Sequence, residues 1–471
     1  MPYRDLREYV AALDQRGLLK RIHTEVDKDW EIAAVTRVAF QSQRAAERPA
    51  LMFTAIKGFD IPLLVGALGA SPAVYAASLE TDVAGIPGKW RQARQKPMAP
   101  VRVASGPVKQ NVLRDNAIDV EKFPSPVWTV GRDPGPYITA GHVVTRDPAT
   151  GSQNLGTYRS QVQGPRQLAI WINFTKDGRK HIEAYGKRGE RAPVAIVIGT
   201  EPAVGHCAVT NLPYGLDELA VAGGLRGAPV EVVKCESHDL LVPATSEIVI
   251  EGWVKHDDLV PEGPFGEYTG YMGPDTRSYR MEVACVTHRD APIYHAFLSQ
   301  MPPSESSCIR QVGREAALRH HLVEVLGLPV TEVCVPESGA SAAFIVIALK
   351  NPRPGQARQA ILGALAHDPT MGKFTIAVDD DIDVRDAEMV NWAMSFRVQP
   401  QRDVWVVPDL PSVQLDPSQA PAGVAQLDER RRLSSKLAID ATKKHAFPAN
   451  SVPPREHLDK VRANWTRYWG N

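Results

Sequence analysis

The chain has 471 residues, 44% of them hydrophobic and 23% charged, with Lys plus Arg equal to Asp plus Glu at 54 each. That length allows roughly two to four domains around a large core, and the even charge gives no reason to invoke nucleic acid or an anionic membrane as partner. No stretch approaches the ~20 apolar residues of a membrane span. The start, Met1-Pro-Tyr-Arg-Asp5, lacks the apolar run of a secretory signal, so a cytoplasmic location is expected. Cys207, Cys235, Cys285, Cys308 and Cys334 are scattered, odd in number and form no C-x-x-C pair. This argues against a disulfide framework or a structural zinc site and fits a reducing compartment.

In chain order, Leu6, Val10 and Leu13 recur at helical spacing and Gly17 is placed as a helix stop. Leu18 to Val26 then reads as a strand, Glu31 to Phe40 as a helix, and Ala50 to Gly66 as strands with a tight turn. Residues 1–105 therefore read as a mixed α/β domain that ends in the Arg-, Gln- and Pro-rich stretch Lys89 to Val108. Short β-branched runs follow at 143–146, 168–174, 194–198, 230–234, 247–251 and 281–287, separated by Gly, Pro and Asn. They predict a largely antiparallel barrel or sandwich with inserted helices over 106–305. Helices at 309–325 and 356–366 alternate with strands at 330–335, 342–349 and 373–378, which points to a third, α/β domain over 306–440. In the tail, 441–471, Leu458, Val461, Trp465 and Tyr468 share one face of a final helix that docks either on its own body or on a second subunit.

Familiar cofactor motifs are missing: there is no G-x-G-x-x-G, G-x-x-x-x-G-K-[ST], G-x-S-x-G or H-E-x-x-H. Cys308 has no identified base and reads as packing. Glu236, His238 and Asp239 include metal-ligating types, but neighbours on a strand point to opposite faces. The acidic run Asp379 to Asp383 reads as a strand exit that caps a helix from Arg385 to Ser395. The segment Pro261-Glu-Gly-Pro-Phe-Gly-Glu-Tyr-Thr-Gly270 sets Glu262 and Glu267 at the ends of a linker that Gly263, Pro264 and Gly266 keep out of helix. Two readings fit: a glycine-rich loop with solvated acids, or a bent loop that brings two carboxylates together. Close carboxylates cannot both ionise easily, and a pair split in pKa suits proton transfer. Asn154, the Lys180-His181 pair and Glu218, in the first turn of a helix over 216–226, supply types that bind a hard divalent cation.

Taken in order, Asn154-x-x-x-Tyr-Arg159, Glu218-Leu-Ala-x-Ala-Gly-x-Leu-Arg226-Gly, Val232-Val-Lys-Cys235, Val242-Pro-Ala-x-Ser-Glu247-Ile-Val and Glu262-Gly-Pro-Phe-Gly-Glu267-x-x-Gly-Tyr271 resemble the UbiD family of reversible decarboxylases. The likeness continues through Val378-Asp-Asp-Asp-Ile382 and Ser435-Lys-Leu-Ala-Ile-Asp440 and covers most of residues 1–445. It implies an α+β multidomain subunit whose middle domain is a flavin-reductase-like split barrel. It implies prenylated FMN loaded by a partner flavin prenyltransferase, and Mn²⁺ (or Mg²⁺) held by Asn154, His181 and Glu218, with K⁺ nearby. A buried phosphate dianion requires such a counter-charge. Thr157, Tyr158, Arg159, Lys180, Leu212, Pro213, Lys373 and Lys436 match cofactor-proximal positions. The catalytic set would be Arg159, Glu262 and Glu267, with Glu267 standing where many members carry Asp. The implied reaction is decarboxylation of an aromatic or heteroaromatic acid, releasing CO₂, in a homodimer or higher homo-oligomer. Ser304, Ser306, Ser307 and Arg310 border the expected cavity and point to a ring with a hydrogen-bonding group; helix capping is the competing account of the serines. A flavin-binding barrel that carries or stores cofactor is the alternative function, and a metal-dependent hydrolase built on Asp379 to Asp383 a third.

Overall fold

The structure is a computed structural model that describes residues 2–213, 215–368, 370–411, 413, 415–419 and 433–470. Strands Leu19–Ile22, Ala50–Phe53 and Leu63–Val65 form a first sheet, and Tyr294–Ala296 completes it by pairing in parallel with Leu63–Val65. The chain thus returns to its N-terminal region almost 200 positions after the break read at Lys89 to Val108. Helix Leu6–Gln15 buries Leu6, Tyr9, Val10 and Leu13 against this sheet, and Asp5 caps it by accepting from the Glu8 N–H.

The large central sheet has nine strands among the described residues. Its spine is the hairpin of Ile248–Glu262 and Thr276–His288, both longer than the β-branched cores at 247–251 and 281–287 that the sequence marks. Polar residues extend them where only one face is buried: exposed Glu282 alternates with buried Met281 and Val283. The ladder runs from Tyr137–Ile138 at one edge to Gln153–Thr157 at the other. It is a curled, open sheet, and no pairing joins its two edges among the described residues. Helices Asp177–Lys187, Pro202–Val209 and Glu218–Arg226 pack beside it.

A five-stranded sheet follows, ordered Val330–Cys334, Phe344–Leu349, Phe374–Asp379, Leu433–Ala441 and Val404–Pro411. Helix Glu305–His320 leads into it; the Ser304 hydroxyl accepts from the Ser307 N–H and the Ser307 hydroxyl from the Ser304 N–H, so the capping account of these serines is the structural one. The acidic run at 379–383 is not the helix cap that its position suggests. Asp386 caps Ala387–Arg397, while Asp379 and Asp381 pair with Arg397 and Lys443. The tail forms helices Arg455–Ala463 and Trp465–Trp469, with Trp465, Tyr468 and Trp469 exposed.

Candidate active site

Arg159 follows the edge strand Gln153–Thr157, and Glu262 ends the long strand of the central hairpin. The residues between the two long strands form its loop, and there Gly263 (φ +90°) and Gly270 (φ +94°) occupy backbone that L side chains rarely adopt. The turn they permit carries Glu267 back over the sheet. Arg159 donates from Nε to Glu262 Oε1 at 2.9 Å and from Nη2 to Oε2 at 3.0 Å, a bidentate pair, while Nη1 reaches Glu267 Oε1. The guanidinium lies between rings, 4.8 Å from the Trp171 centroid and 5.2 Å from that of Phe265. Of the two readings of the 261–270 segment, the converging acids are the one that folds.

The two acids are held differently. Glu262 also accepts from Tyr137 at 2.9 Å, Thr276 at 2.7 Å and Ser278 at 3.2 Å. Burial works to raise its pKa, but Arg159, Thr276 and Tyr137 outweigh burial and hold it below the usual value. Burial raises Glu267, Glu262 adds repulsion, and Arg159 and Arg310 do not overcome them. One acid is thus kept charged and the other biased to hold a proton. Sequence reasoning missed Tyr137, Thr276, Ser278 and Trp171. The i, i+2 spacing of Thr276 and Ser278 puts both on one face of a strand, but only the register Glu262↔Thr276 shows which acid they meet.

Asn154, His181 and Glu218 gather around the same edge strand. Thr145, cross-strand partner of Asn154, lies 3.0 Å from His181 Nδ1, leaving Nε2 as the outward nitrogen. The Leu155 N–H donates to Glu218 Oε2 at 3.1 Å. The buried Asn154 amide nitrogen has no partner among the described residues. Burial, with Asp217 and Asp177 adding to it, pushes Glu218 up to about 7 against the opposing Leu155 N–H. A half-buried acid so raised, beside an amide and an imidazole, supplies a donor set that a divalent cation would complete.

The other expected cofactor positions spread more widely. Thr157 Oγ1 lies 2.8 Å from His142 Nδ1, and Tyr158 packs beneath Gly156 and Gly178. Lys180 sits beside them on Asp177–Lys187, paired with Asp177 at 2.8 Å. Leu212 and Pro213 lie in the loop before Glu218–Arg226, where Lys176 binds Asn211. Lys373 immediately precedes one strand of the five-stranded sheet and Lys436 lies in another, away from the sheet of Thr157. Lys373 pairs with Asp416 at 2.7 Å, and the buried Lys436 donates to the Met371 carbonyl at 2.5 Å. An apolar cleft of about 440 Å³ joins this region to the catalytic loop, with Lys373, Phe374 and Val390 on one side and Thr269 and Tyr271 on the other. It adjoins the Arg159 group, which does not line it.

Family profiles match three consecutive parts of the chain: the 3-octaprenyl-4-hydroxybenzoate carboxy-lyase N-terminal domain at residues 10–93, the Rift-related domain at 100–302 and the C-terminal domain at 307–441. Among solved structures, the UbiD-class enzyme HmfF from Pelotomaculum thermopropionicum in complex with FMN is 33% identical, with 98% of this chain and 100% of that one covered and a TM-score of 0.86. An evolved dimeric form of HmfF in complex with prFMN gives 33% identity, 98% and 99% coverage and a TM-score of 0.83. Apo 3,4-dihydroxybenzoic acid decarboxylase (AroY) from Klebsiella pneumoniae gives 27% identity, 97% and 99% coverage and a TM-score of 0.83. Among the described residues no helix is long and apolar enough to cross a membrane. With all three of its domains matched in order, the chain belongs to the UbiD family of carboxy-lyases, a family of decarboxylases.

Proposed function

We propose that the chain catalyses reversible, non-oxidative decarboxylation of an aromatic or heteroaromatic acid, with prenylated FMN as cofactor and Arg159, Glu262 and Glu267 as the catalytic set. The observation that carries this reading is the asymmetry of two acids on one buried guanidinium: Glu262 is satisfied four ways and lowered, Glu267 is raised. Glu262 anchors Arg159 through its Nε and Nη2, leaving Nη1 as the donor that a substrate carboxylate can share with Glu267. The C–C bond then breaks, CO₂ departs with the carboxyl oxygens, and Glu267 gives its proton to the ring carbon left behind. Carboxylation runs these events backwards, with Glu267 taking the proton. The modified flavin, when bound, supplies the electron sink for the pair left by CO₂. Trp171 and Phe265 exclude water around Arg159, which strengthens its hold on both acids. The middle domain is read as a split barrel of the flavin-reductase type, a reading that its curled sheet with open edges supports.

Asn154 Oδ1, His181 Nε2 and Glu218 would hold Mn²⁺ or Mg²⁺ against the flavin phosphate, with K⁺ beside it, and a flavin prenyltransferase would supply the cofactor. Arg310 supports a polar ring substituent: it stacks 3.8 Å from the Tyr268 centroid, and its buried Nη1 has no partner among the described residues. The exposed Trp465, Tyr468 and Trp469 support the tail helices as the contact of a cytoplasmic homodimer or larger homo-oligomer. A barrel that only stores cofactor has no use for a buried arginine with two acids.

The test is the full-length protein co-produced with a flavin prenyltransferase. Its absorption spectrum should show bound modified flavin, and a panel of benzoic, furoic, pyrrole and indole carboxylates should give CO₂ release and bicarbonate-dependent exchange with at least one ring. Bound modified flavin with no turnover or exchange on any ring would favour the storage reading.

A further inference from the structure

Cys235 follows the strand Glu231–Lys234, His238 lies in the turn before Leu241–Pro243, and Glu251 sits on Ile248–Glu262. Folding brings one ligand atom from each within 4.8 Å of the others, with all three side chains buried. No other three His, Cys, Asp or Glu side chains among the described residues gather this closely. Thiol, imidazole and carboxylate are the donors of zinc-class ions, and the Cys-x-x-His spacing suits one short turn.

The orientation of His238 is the second observation. Its Nε2 lies 3.1 Å from the Val194 carbonyl oxygen, which can only accept, so Nε2 carries the proton and Nδ1 the lone pair. That Nδ1 is buried without a partner among the described residues, in a side chain 8% exposed. A backbone carbonyl fixing the far nitrogen is the usual support of a metal-bound histidine. Glu251 is steadied likewise: it accepts from the Glu236 N–H at 2.9 Å, the Ser237 N–H at 2.7 Å and the Ser237 hydroxyl at 2.9 Å. Oε2 takes both Ser237 bonds and Oε1 only the Glu236 N–H, so Oε1 keeps a lone pair. Cys285, fully buried, stands opposite Glu251 in the adjacent strand and places a second thiol beside the group. Lys109 is the nearby cation, but its Nζ is 3.0 Å from Glu236 and 3.7 Å from Glu251. Arg114 also pairs with Glu236.

We propose that Cys235, His238 and Glu251 form a site for a zinc-class divalent ion, bound through the Cys235 thiolate, His238 Nδ1 and one Glu251 oxygen. Binding exchanges the thiol proton for the metal and pins the 235–240 turn to the central sheet. The site is independent of the decarboxylase reading. Glu251 pairs with Cys285 and Glu262 with Thr276, so the partners of the two acids lie nine residues apart along one strand (285 − 276 = 9). At ~3.3 Å per residue that is on the order of 30 Å.

The experiment is a Co²⁺ titration of chelator-treated, reduced full-length protein. The expected result is a thiolate-to-cobalt charge-transfer band that saturates at one equivalent and is displaced by Zn²⁺. The Asn154, His181 and Glu218 group has no sulfur and cannot give this band. Cys235→Ser and His238→Gln should each lose it. Wild-type protein that shows no such band, as it would if Lys109 and packing alone served the cluster, overturns the proposal whether or not the variants fold. A band that persists in folded Cys235→Ser also overturns it, since another thiol would then be the ligand.

Discussion

Arg159 and Arg397 each set a shielded guanidinium against two carboxylates, and the two groups are finished differently. Arg397, 1% exposed, binds Asp381 through both terminal nitrogens and Asp379 at 3.0 Å, and Lys443 adds its ammonium to Asp381 and its N–H to Asp379. Two cations answer two anions, and the group ties helix Ala387–Arg397 to the strands beside it. Around Arg159 the hydroxyls of Tyr137, Thr276 and Ser278 all go to Glu262, and Glu267 receives only Nη1 among its hydrogen-bond partners in the described residues. A complete cluster stabilises; an incomplete one keeps a proton in play, and burial is what makes the difference count.

The sharpest way to break the comparison is to neutralise the unfinished acid. Glu267→Gln should lower turnover on an accepted substrate by about 10²–10⁴-fold, measured as CO₂ release, with flavin occupancy and thermal midpoint nearly unchanged. Unchanged turnover would remove Glu267 from its role. The matching change in the finished cluster, Arg397→Met, should cost about 1–3 kcal/mol of stability, by taking the Arg397 bonds from the half-buried Asp379 and from Asp381 while both keep Lys443. Thermal unfolding reads this, and activity of the protein that remains folded should hold near the parent's.

The metal group offers a pH test. Glu218 is raised from 4.5 to about 7, so the folded cation-free protein binds a proton more tightly than the unfolded chain does. Its contribution is fully present below about 4.5 and is lost as pH rises through about 7. Stability of chelated protein should therefore fall across that window. Mn²⁺ should flatten the fall by holding the carboxylate ionised, and Glu218→Gln should abolish both slope and Mn²⁺ response. A slope that Mn²⁺ leaves untouched would contradict the ligand assignment. The smallest expected effect is Tyr137→Phe, which removes one of several donors to Glu262. It should cost about 0.5–1.5 kcal/mol in kcat/KM and move the acidic limb of the pH profile upwards, as Glu262 loses a bond that favours its charged form.

Much of the fold was legible from pattern. Leu6, Val10 and Leu13 marked a helix that does bury them, and 342–349 was read as the buried strand found at Phe344–Leu349. Boundaries were weaker where polar residues continue a strand, as in Thr276–His288, because one face of that hairpin is less buried than the other. The site residues were legible as types, since glycines around Glu262 and Glu267 announce a bent loop. Their resemblance to a known family supplied the pairing with Arg159, which no local spacing contains.

The sequence by itself determined the segments, the turn that lets Glu267 approach Glu262, and membership of the family, because these rest on local backbone freedom and on motif order. Only the tertiary structure decided which acid is held charged, since strand register assigns Thr276 and Ser278 to Glu262. It alone decided that Asp379 and Asp381 serve Arg397 rather than a helix end, and that Cys235, one of five cysteines whose scatter argues against a structural zinc site, meets His238 and Glu251. Pairing between strands far apart in sequence is a non-local contact, and its partners cannot be read from the spacing of either strand alone.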